Sequence, residues 1–287
     1  MNRGALAAAK AFPELHYSIG PKLRDWAALR KIEVCELNTD AKTKEFMENS
    51  SVAGPTKLAA HSMLTLFMSH YDANALLNMY PLHMLSHPQI AELLQAAGAP
   101  SKFSTALDIG TGDGKMATDL LGPMAETIFA TETSKHMARK AVERGINCSN
   151  VDISSSDPPH LEHGTFDFAM LLNVLDRTSK PKTILERIAH YLKPEAYCVI
   201  ASPLPFRPIV FEGAVRRLPQ ETFRGAPSIS ADWDDSAQWL IETVLGSVPQ
   251  LEPRVVSRIP YISGGDLAQP FVVYDDAVIV LQRRPEK

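Results

Sequence analysis

Residues 104–121, "STALDIGTGDGKMATDLL", constrain this chain more than any other stretch. An apolar run reaches Asp108, glycines follow at 110, 112 and 114, and a helix-like apolar pattern begins at once. Glycine accepts positive φ and leaves room where a Cβ would intrude. A strand that breaks on such a turn and resumes as a helix opens a βαβ unit. Ligands of open α/β sheets dock in the crevice beyond the carboxyl ends of the strands.

The chain then repeats the alternation. "ETIFATE" (126–132) reads as a second strand. "SKHMARKAVERG" reads as a helix opened by Ser134 and closed by Gly145, with Met137, Ala138, Ala141 and Val142 inward. "INCSNVD" gives a short third strand, and "FDFAMLLN" (166–173) a fourth that is apolar on both faces. The helix "PKTILERIAHYL" and a fifth strand, "AYCVIAS" (196–202), follow. Residues 203–233 are rich in Pro and Gly, show no lasting period and read as a long substrate-side loop. The acid-capped helix "DDSAQWLIETVLG" leads to two strands, "RVVSRIPYI" and "FVVYDDAVIVLQ". About eight residues separate that pair, too few for a parallel crossover, so it pairs antiparallel. The expected fold is α/β, a Rossmann-like sheet of seven strands with an antiparallel last strand.

Residues 1–100 read as an N-terminal helical extension, leaving 101–287 as the main domain. Its helices lie around "KLRDWAALRKIEV", in "TKLAAHSMLTLFMS" and in "SHPQIAELLQAAG", the last capped by Ser86 and stopped at Gly98. "LTLFMS" (64–69) reads as core packing against the sheet, with a lid over the crevice as the sharper option.

Composition excludes several classes. The net charge of −4 offers no basic field to nucleic acid or anionic membrane. No apolar run approaches the ~20 residues that span a bilayer. Cys35, Cys148 and Cys198 are dispersed with no C-x-x-C pair, which favours a reducing, intracellular compartment, most simply the cytoplasm. The opening "MNRGALAAAKAF" is too short and weakly apolar for a signal peptide; a targeting remnant is the other reading. His83/His87 and His160/His163 have spacings a metal could use but no third ligand nearby, so no metal is expected.

Two cofactor classes compete for the turn. A dinucleotide needs G-x-G-x-x-G and sets its pyrophosphate on a helix N-terminus. This turn is G-x-G-x-G with Asp108 and Asp113 beside it. Two carboxylates repel a pyrophosphate but suit a sulfonium and an amino group, so S-adenosylmethionine fits better. Glu132, eighteen residues after Gly114, ends the second strand, where a carboxylate can take both ribose hydroxyls. Asp152, at the end of the third, could accept from an adenine amino group or be a surface acid. "DPPH" (157–160) imitates a D-P-P-aromatic box, but it precedes the fourth strand and reads as a Pro-rich turn. The fourth strand ends instead on "NVLDR", carrying Asn173, Asp176 and Arg177.

In order and spacing, "LDIGTGDG", "IFATE", "LLNVLDR", "ASPLPFRP", "RIPY" and "YDDAVIVL" resemble the DREV family, and "LTLFMS" is similar to that family's "FSLFMS". The likeness runs from about Tyr17 to the end, densest in 104–211 and 255–282, while "EGAVRRLPQETFRGAPSIS" departs from the family. The resemblance implies a class I methyltransferase fold, S-adenosylmethionine as donor with S-adenosylhomocysteine as product, and transfer to the pros nitrogen (Nδ1) of histidine in His-x-His peptides. The residues alone do not separate Nδ1 from Nε2. The hydrophobic leader of animal members is not found, so their secretory placement does not transfer.

Mechanistic roles follow from the chemistry. Attack through Nδ1 requires the proton on Nε2, and an acceptor aimed at that N–H fixes tautomer and ring. Asp176 is the candidate acceptor and Asn173 the candidate amide for the methionine end of the cofactor or the substrate ring; a helix cap and a satisfied strand end are the bland alternatives. Arg177 accompanies Asp176 on the substrate side. The resemblance brings Tyr261 to cofactor or substrate. Asp275 and Asp276 alternate across a strand, so one of them, taken as Asp275, faces the site and attracts a basic histidine peptide. The expected partners are histidine-containing peptides or proteins, with no nucleic acid, and the expected state is a monomer. A class I enzyme acting on a small molecule or another side chain, and a non-catalytic scaffold, are the rivals.

Overall fold

A computed structural model describes residues 14–158, 161–212 and 215–286; the opening "MNRGALAAAKAF" and His160 lie outside them. The N-terminal part runs α1 (Pro21–Leu29), β1 (Glu33–Val34), α2 (Ala41–Asn49), α3 (Pro55–Leu64), α4 (His70–Leu77), β2 (Leu82–His83) and α5 (His87–Ala96). Then come β3 (Phe103–Ile109), α6 (Lys115–Leu121), β4 (Ala125–Glu132), α7 (Lys135–Glu143) and β5 (Asn147–Asn150). Next are β6 (Phe166–Leu172), α8 (Pro181–Tyr191), β7 (Leu192–Pro203), β8 (Val210–Glu212) and β9 (Val215–Arg217). The chain ends with α9 (Trp233–Trp239), β10 (Leu251–Gly264) and β11 (Phe271–Arg283).

One mixed sheet organises these elements in the order β1-β10-β11-β7-β6-β3-β4-β5. All seven expected strands are in it, and β11 runs antiparallel to both neighbours. Two short additions come from the N-terminal part: β1 pairs parallel with β10, and β2 antiparallel with it. The reading of residues up to 100 as helical is corrected there, because two-residue strands are too short for a period to show. The Pro- and Gly-rich segment is not wholly irregular either, since β8 and β9 pair as a small antiparallel hairpin.

The continuous apolar runs reflect burial on both faces. Along β7, Cys198 and Ile200 join the core beneath α1, α8 and α9, whereas Val199 and Ala201 join the core beneath α5, α6 and α7. Local chemistry sets the helix ends. Ser86 and Gln89 form a reciprocal capping box at α5, with Ser86 N donating to Gln89 Oε1 at 3.0 Å. In α7, Ala138 and Ala141 are buried, but Val142 is exposed, which corrects its inward assignment. Asp234, in the first turn of α9, caps a different helix: its carboxylate accepts from Gly20 N and Leu23 N at the start of α1.

Packing does not consume "LTLFMS". Leu66 is 76% and Phe67 84% exposed, so the core-packing expectation is corrected. Among the described residues no helix is long and apolar enough to cross a membrane.

Candidate active site

The crevice lies where β3, β4, β6 and β7 end. Gly110 N and Thr111 N both donate to Thr131 O, at 2.8 and 3.2 Å, fastening the glycine turn to β4. Gly110, Gly112 and Gly114 all have positive φ. A Cβ on Gly114 would stand 2.8 Å from Ile146 Cδ1 and 2.9 Å from Ala141 Cα, whereas one on Gly112 would meet nothing within 4 Å. Gly114 is therefore bare so that the turn can lie against α7 and Ile146, and Gly112 is bare toward open space.

Glu132 closes the turn from the side. Its Oε2 accepts from Gly112 N at 2.9 Å and its Oε1 from Ser134 N at 2.8 Å. Burial raises its pKa, and the N–H groups of Ser134 and Gly112 oppose that rise. Asp108 is fully buried; desolvation pushes its carboxyl up to about 7, against the Thr111 hydroxyl and with a contribution from Glu132. Asp113 does not join them. Arg144 donates Nη2 to its Oδ2 at 3.1 Å, and Lys115 N donates to its Oδ1, so this acid pins the turn. Asp152 is also engaged: Ser154 N and Oγ donate to its Oδ1 at 2.8 and 2.7 Å, and Ser155 Oγ to its Oδ2 at 3.1 Å. Oδ2, which accepts one bond, keeps a lone pair for a further donor.

The other wall is made by the segment after β6. Asn173 has φ 55°, a left-handed conformation that asparagine tolerates, and its backbone N donates to Ala201 O at 3.0 Å. Asp176, 5% exposed, accepts from Arg177 Nε through Oδ2 at 2.8 Å. Burial raises its pKa and the Arg177 charge counters that. Because β11 runs antiparallel, its first half reaches the same edge: Asp276 lies opposite Pro203, the last residue of β7. Asp276 is completely buried. Asp275, the acid expected at the site, lies on the opposite face of β11, where the Arg258 guanidinium grips its carboxylate and stands 5.0 Å over the Trp233 ring. The acid that reaches the rim is Asp276.

Tyr261 sits within β10 rather than at its end, paired with Tyr274 at a ring separation of 5.6 Å. Burial raises its phenol pKa, which Arg177, Asp276 and Asp176 also influence. Against the effect of burial, Asp176 above all and then Tyr71, on α4, raise the pKa of Arg177.

These two walls differ in one respect that bears on ligand binding. Asn173 Oδ1 and Nδ2, Asp176 Oδ1 and both Asp276 carboxylate oxygens are buried without a hydrogen-bond partner. Each unsatisfied group costs about 1–3 kcal/mol, so a cluster of them marks where a ligand completes the bonding. A sulfonium nucleoside fits the residues present: Glu132 for ribose hydroxyls, Asp108 for an ammonium, Gly112 for close approach and Asn173 for a carboxylate or amine. Among the described residues no three His, Cys, Asp or Glu side chains converge as metal ligands. His83 instead stacks on Phe46 at 5.4 Å and His87 Nδ1 lies 3.3 Å from Leu120 O.

Sequence reasoning missed how α4 docks. Asp72 Oδ1 accepts from Ser134 Oγ at 2.5 Å and lies 3.1 Å from His136 Nδ1, and the Lys140 ammonium bonds Ala75 O at the end of α4. Ser134 was legible as a cap; its partner 62 residues away was not.

Among solved structures, the fold is similar to S-adenosylmethionine-bound phosphoethanolamine N-methyltransferase 2 of Haemonchus contortus (20% identity, TM-score 0.34), over 38% of this chain and only 26% of that one. It is similar to the N-methyltransferase NodS of Bradyrhizobium japonicum in complex with S-adenosylhomocysteine (15%, TM-score 0.40; 67% and 84% covered). It is also similar to a methyltransferase of Aquifex aeolicus (19%, TM-score 0.41; 67% and 88% covered). The sequence model of the DREV methyltransferase family matches residues 27–283, which takes in the glycine turn, Glu132, the "NVLDR" rim and the "DDAV" strand together. The chain belongs to the DREV methyltransferase family.

Proposed function

We propose that the acceptor is a protein histidine, methylated at the pros nitrogen within His-x-His segments. The observation that carries this reading is Asp176 Oδ1, a buried acceptor oxygen without a donor, on a carboxylate whose other oxygen is held by Arg177. A neutral imidazole is complementary to it, with one N–H to donate and one lone pair to attack. With a reference pKa near 6.5, much of a peptide histidine is neutral at pH 7. A carboxylate acceptor would be repelled by Asp176, and a lysine ammonium would first have to lose a proton.

S-adenosylmethionine supplies an electrophilic methyl group on a sulfonium. The protein contributes orientation and charge. Asp176 accepts Nε2–H, which leaves the Nδ1 lone pair free, and its negative charge stabilises the imidazolium character that develops on the ring. Arg177 holds Asp176 in place, Tyr261 and Tyr274 flank the ring, and Glu132 with Gly112 anchors the nucleoside end. Leu66 and Phe67, exposed at the approach to α4, offer apolar surface to a polypeptide rather than to a small metabolite.

The test is incubation with labelled donor and His-x-His peptides, followed by chromatographic separation of the two methylhistidines. Label in the pros isomer, lost in Asp176→Ala, is the expected result. Label confined to the other isomer, or absent from histidine, overturns the reading.

A further inference from the structure

We infer that Asp276 is a positioning residue of the methyl-transfer site, acting through the amide of Asn173, which its carboxyl faces. The inference rests on the placement of the donor in this crevice, and not on histidine being the acceptor. Five buried polar atoms without partners belong to three residues here, Asn173, Asp176 and Asp276. A single cation, Arg177, serves this group among the described residues, and its Nε is committed to Asp176. Arg258, on the neighbouring strand β10, is taken by Asp275 on the far face. Two ionised carboxylates in a dry pocket with one shared cation repel each other, so one of them keeps its proton.

Asp276 is the one. It is 0% exposed and has no cation of its own. Its pKa is raised well above the carboxylate range, by burial first and by Asp176 and Asp275 as well, with Asn173 and Arg177 opposing. The titratable and polar groups around it are Asn173, Asp176 and Arg177 after β6, Asp275 on β11 and the Tyr261 phenol on β10. Pro203, opposite on β7, carries no charge.

A protonated carboxyl is a donor. Next to an amide whose oxygen and nitrogen both lack partners, it bonds the oxygen and thereby sets which way the amide lies. Asn173 then presents its N–H groups, and not its carbonyl, to whatever enters the crevice. Ionised, Asp276 would draw the nitrogen toward itself and turn the oxygen outward.

The test uses the full chain and three variants, Asn173→Ala, Asp276→Ala and the double variant, with S-adenosylhomocysteine affinity read by calorimetry. Each single change is expected to lower affinity about 10-fold, and the double change also about 10-fold instead of about 100-fold, because both remove one device. Asp276→Asn retains a donor for the Asn173 oxygen and is expected to stay within about 3-fold of the parent. The infrared difference spectrum of parent minus Asp276→Asn at neutral pH should contain the carbonyl band of a protonated carboxylic acid. Additive losses, an Asp276→Asn variant as weak as Asp276→Ala, or a difference spectrum without that band would each overturn the inference. If Asp276→Ala does not fold, the Asn variant and the spectrum still decide. Failure to methylate histidine peptides leaves every arm of this test intact.

Discussion

The two walls of the crevice are built on opposite plans. On the β3–β4 side nearly all the polar groups that shape the turn are already bonded, Gly112 N and Ser134 N to Glu132, Gly110 N to Thr131 O and Asp113 to Arg144, with the buried Thr111 hydroxyl as the exception. On the β6–β11 side, Asn173, Asp176 and Asp276 hold buried atoms with nothing to bond. The first wall is a finished mould whose shape needs no ligand. The second carries unsatisfied groups that the folded chain tolerates at a cost, and that cost is recovered only when donor and acceptor are both present. Changes in the first wall should therefore act on donor affinity or stability, and loss of Asp176 from the second on turnover, with Asn173 and Asp276 between them touching the donor as well.

The largest expected effect tests that division directly. Asp176→Ala should lower kcat by about 100- to 1,000-fold, the range for removing one preorganised electrostatic partner of a transition state, while S-adenosylhomocysteine affinity changes little. Glu132→Ala should do the reverse, weakening affinity by about 100-fold through lost charge-assisted bonds to the ribose. Calorimetry and single-turnover kinetics on both variants separate the two walls, and a reversed pattern breaks the comparison. The glycines sharpen it further. Gly114→Ala forces a Cβ onto Ala141 and Ile146 at positive φ, so it should lower the melting temperature. Gly112→Ala meets only the strain of its positive φ, its Cβ lying in open space, so it should cost less stability than Gly114→Ala and chiefly weaken donor binding.

The same division governs what could be read from sequence. The β3 turn is local: strand, three glycines, helix and a carboxylate at the end of the next strand all fall within 103–132, and periodicity reaches that far. The far wall depends on register. Which of Asp275 and Asp276 faces the rim is a question of parity along β11, answered only by its pairing with β10 on one side and with the sequence-distant β7 on the other. Sequence could reduce the choice to one of two and no further. Asp113 and Asp152 looked unpartnered because their partners, Arg144 and the Ser154 backbone, are recruited by the folded turns themselves. Val142 faces solvent in the last turn of α7, where an apolar residue type alone misjudges the phase. Leu66 and Phe67 misled for a different reason: apolar residues normally pack, and only coordinates reveal the ones that do not.

A smaller effect comes from Asp108. Its carboxyl is raised from roughly 4 in an unfolded chain to about 7. Between those values the folded chain binds a proton that the unfolded chain has released, so stability falls as pH rises through that window and levels off above it. A cationic ligand that favours ionised Asp108 expels this proton on binding. Affinity for S-adenosylmethionine should therefore rise about 10-fold between roughly pH 6 and pH 8 and then flatten. Glu132, also raised by burial, slopes the same way, so Asp108→Asn should reduce the dependence and not abolish it. Isothermal titration across that range, in buffers of different ionisation enthalpy, counts the released proton; an unchanged slope in Asp108→Asn would remove Asp108 from the donor site.

The smallest effect concerns how the finished wall is held shut. Asp72 on α4 accepts from Ser134 Oγ and from His136 N at 3.3 Å, and Ser134 N in turn donates to Glu132. These bonds, with that of Ser69, hold the Asp72 pKa below its usual value despite the opposing effect of burial. The clamp is therefore in force above the carboxylate range and weakens only as pH falls below it. Asp72→Ala removes the bond between α4 and Ser134 but leaves Ser134 N on Glu132, so the Glu132 carboxylate keeps its place. Donor affinity should fall only about 3- to 5-fold, the worth of a few restrained side-chain bonds near a surface, while amide exchange in α4 accelerates. If Asp72→Ala cost as much as Glu132→Ala, α4 would belong to the mould itself, and the line between the two walls would have to be redrawn to include it.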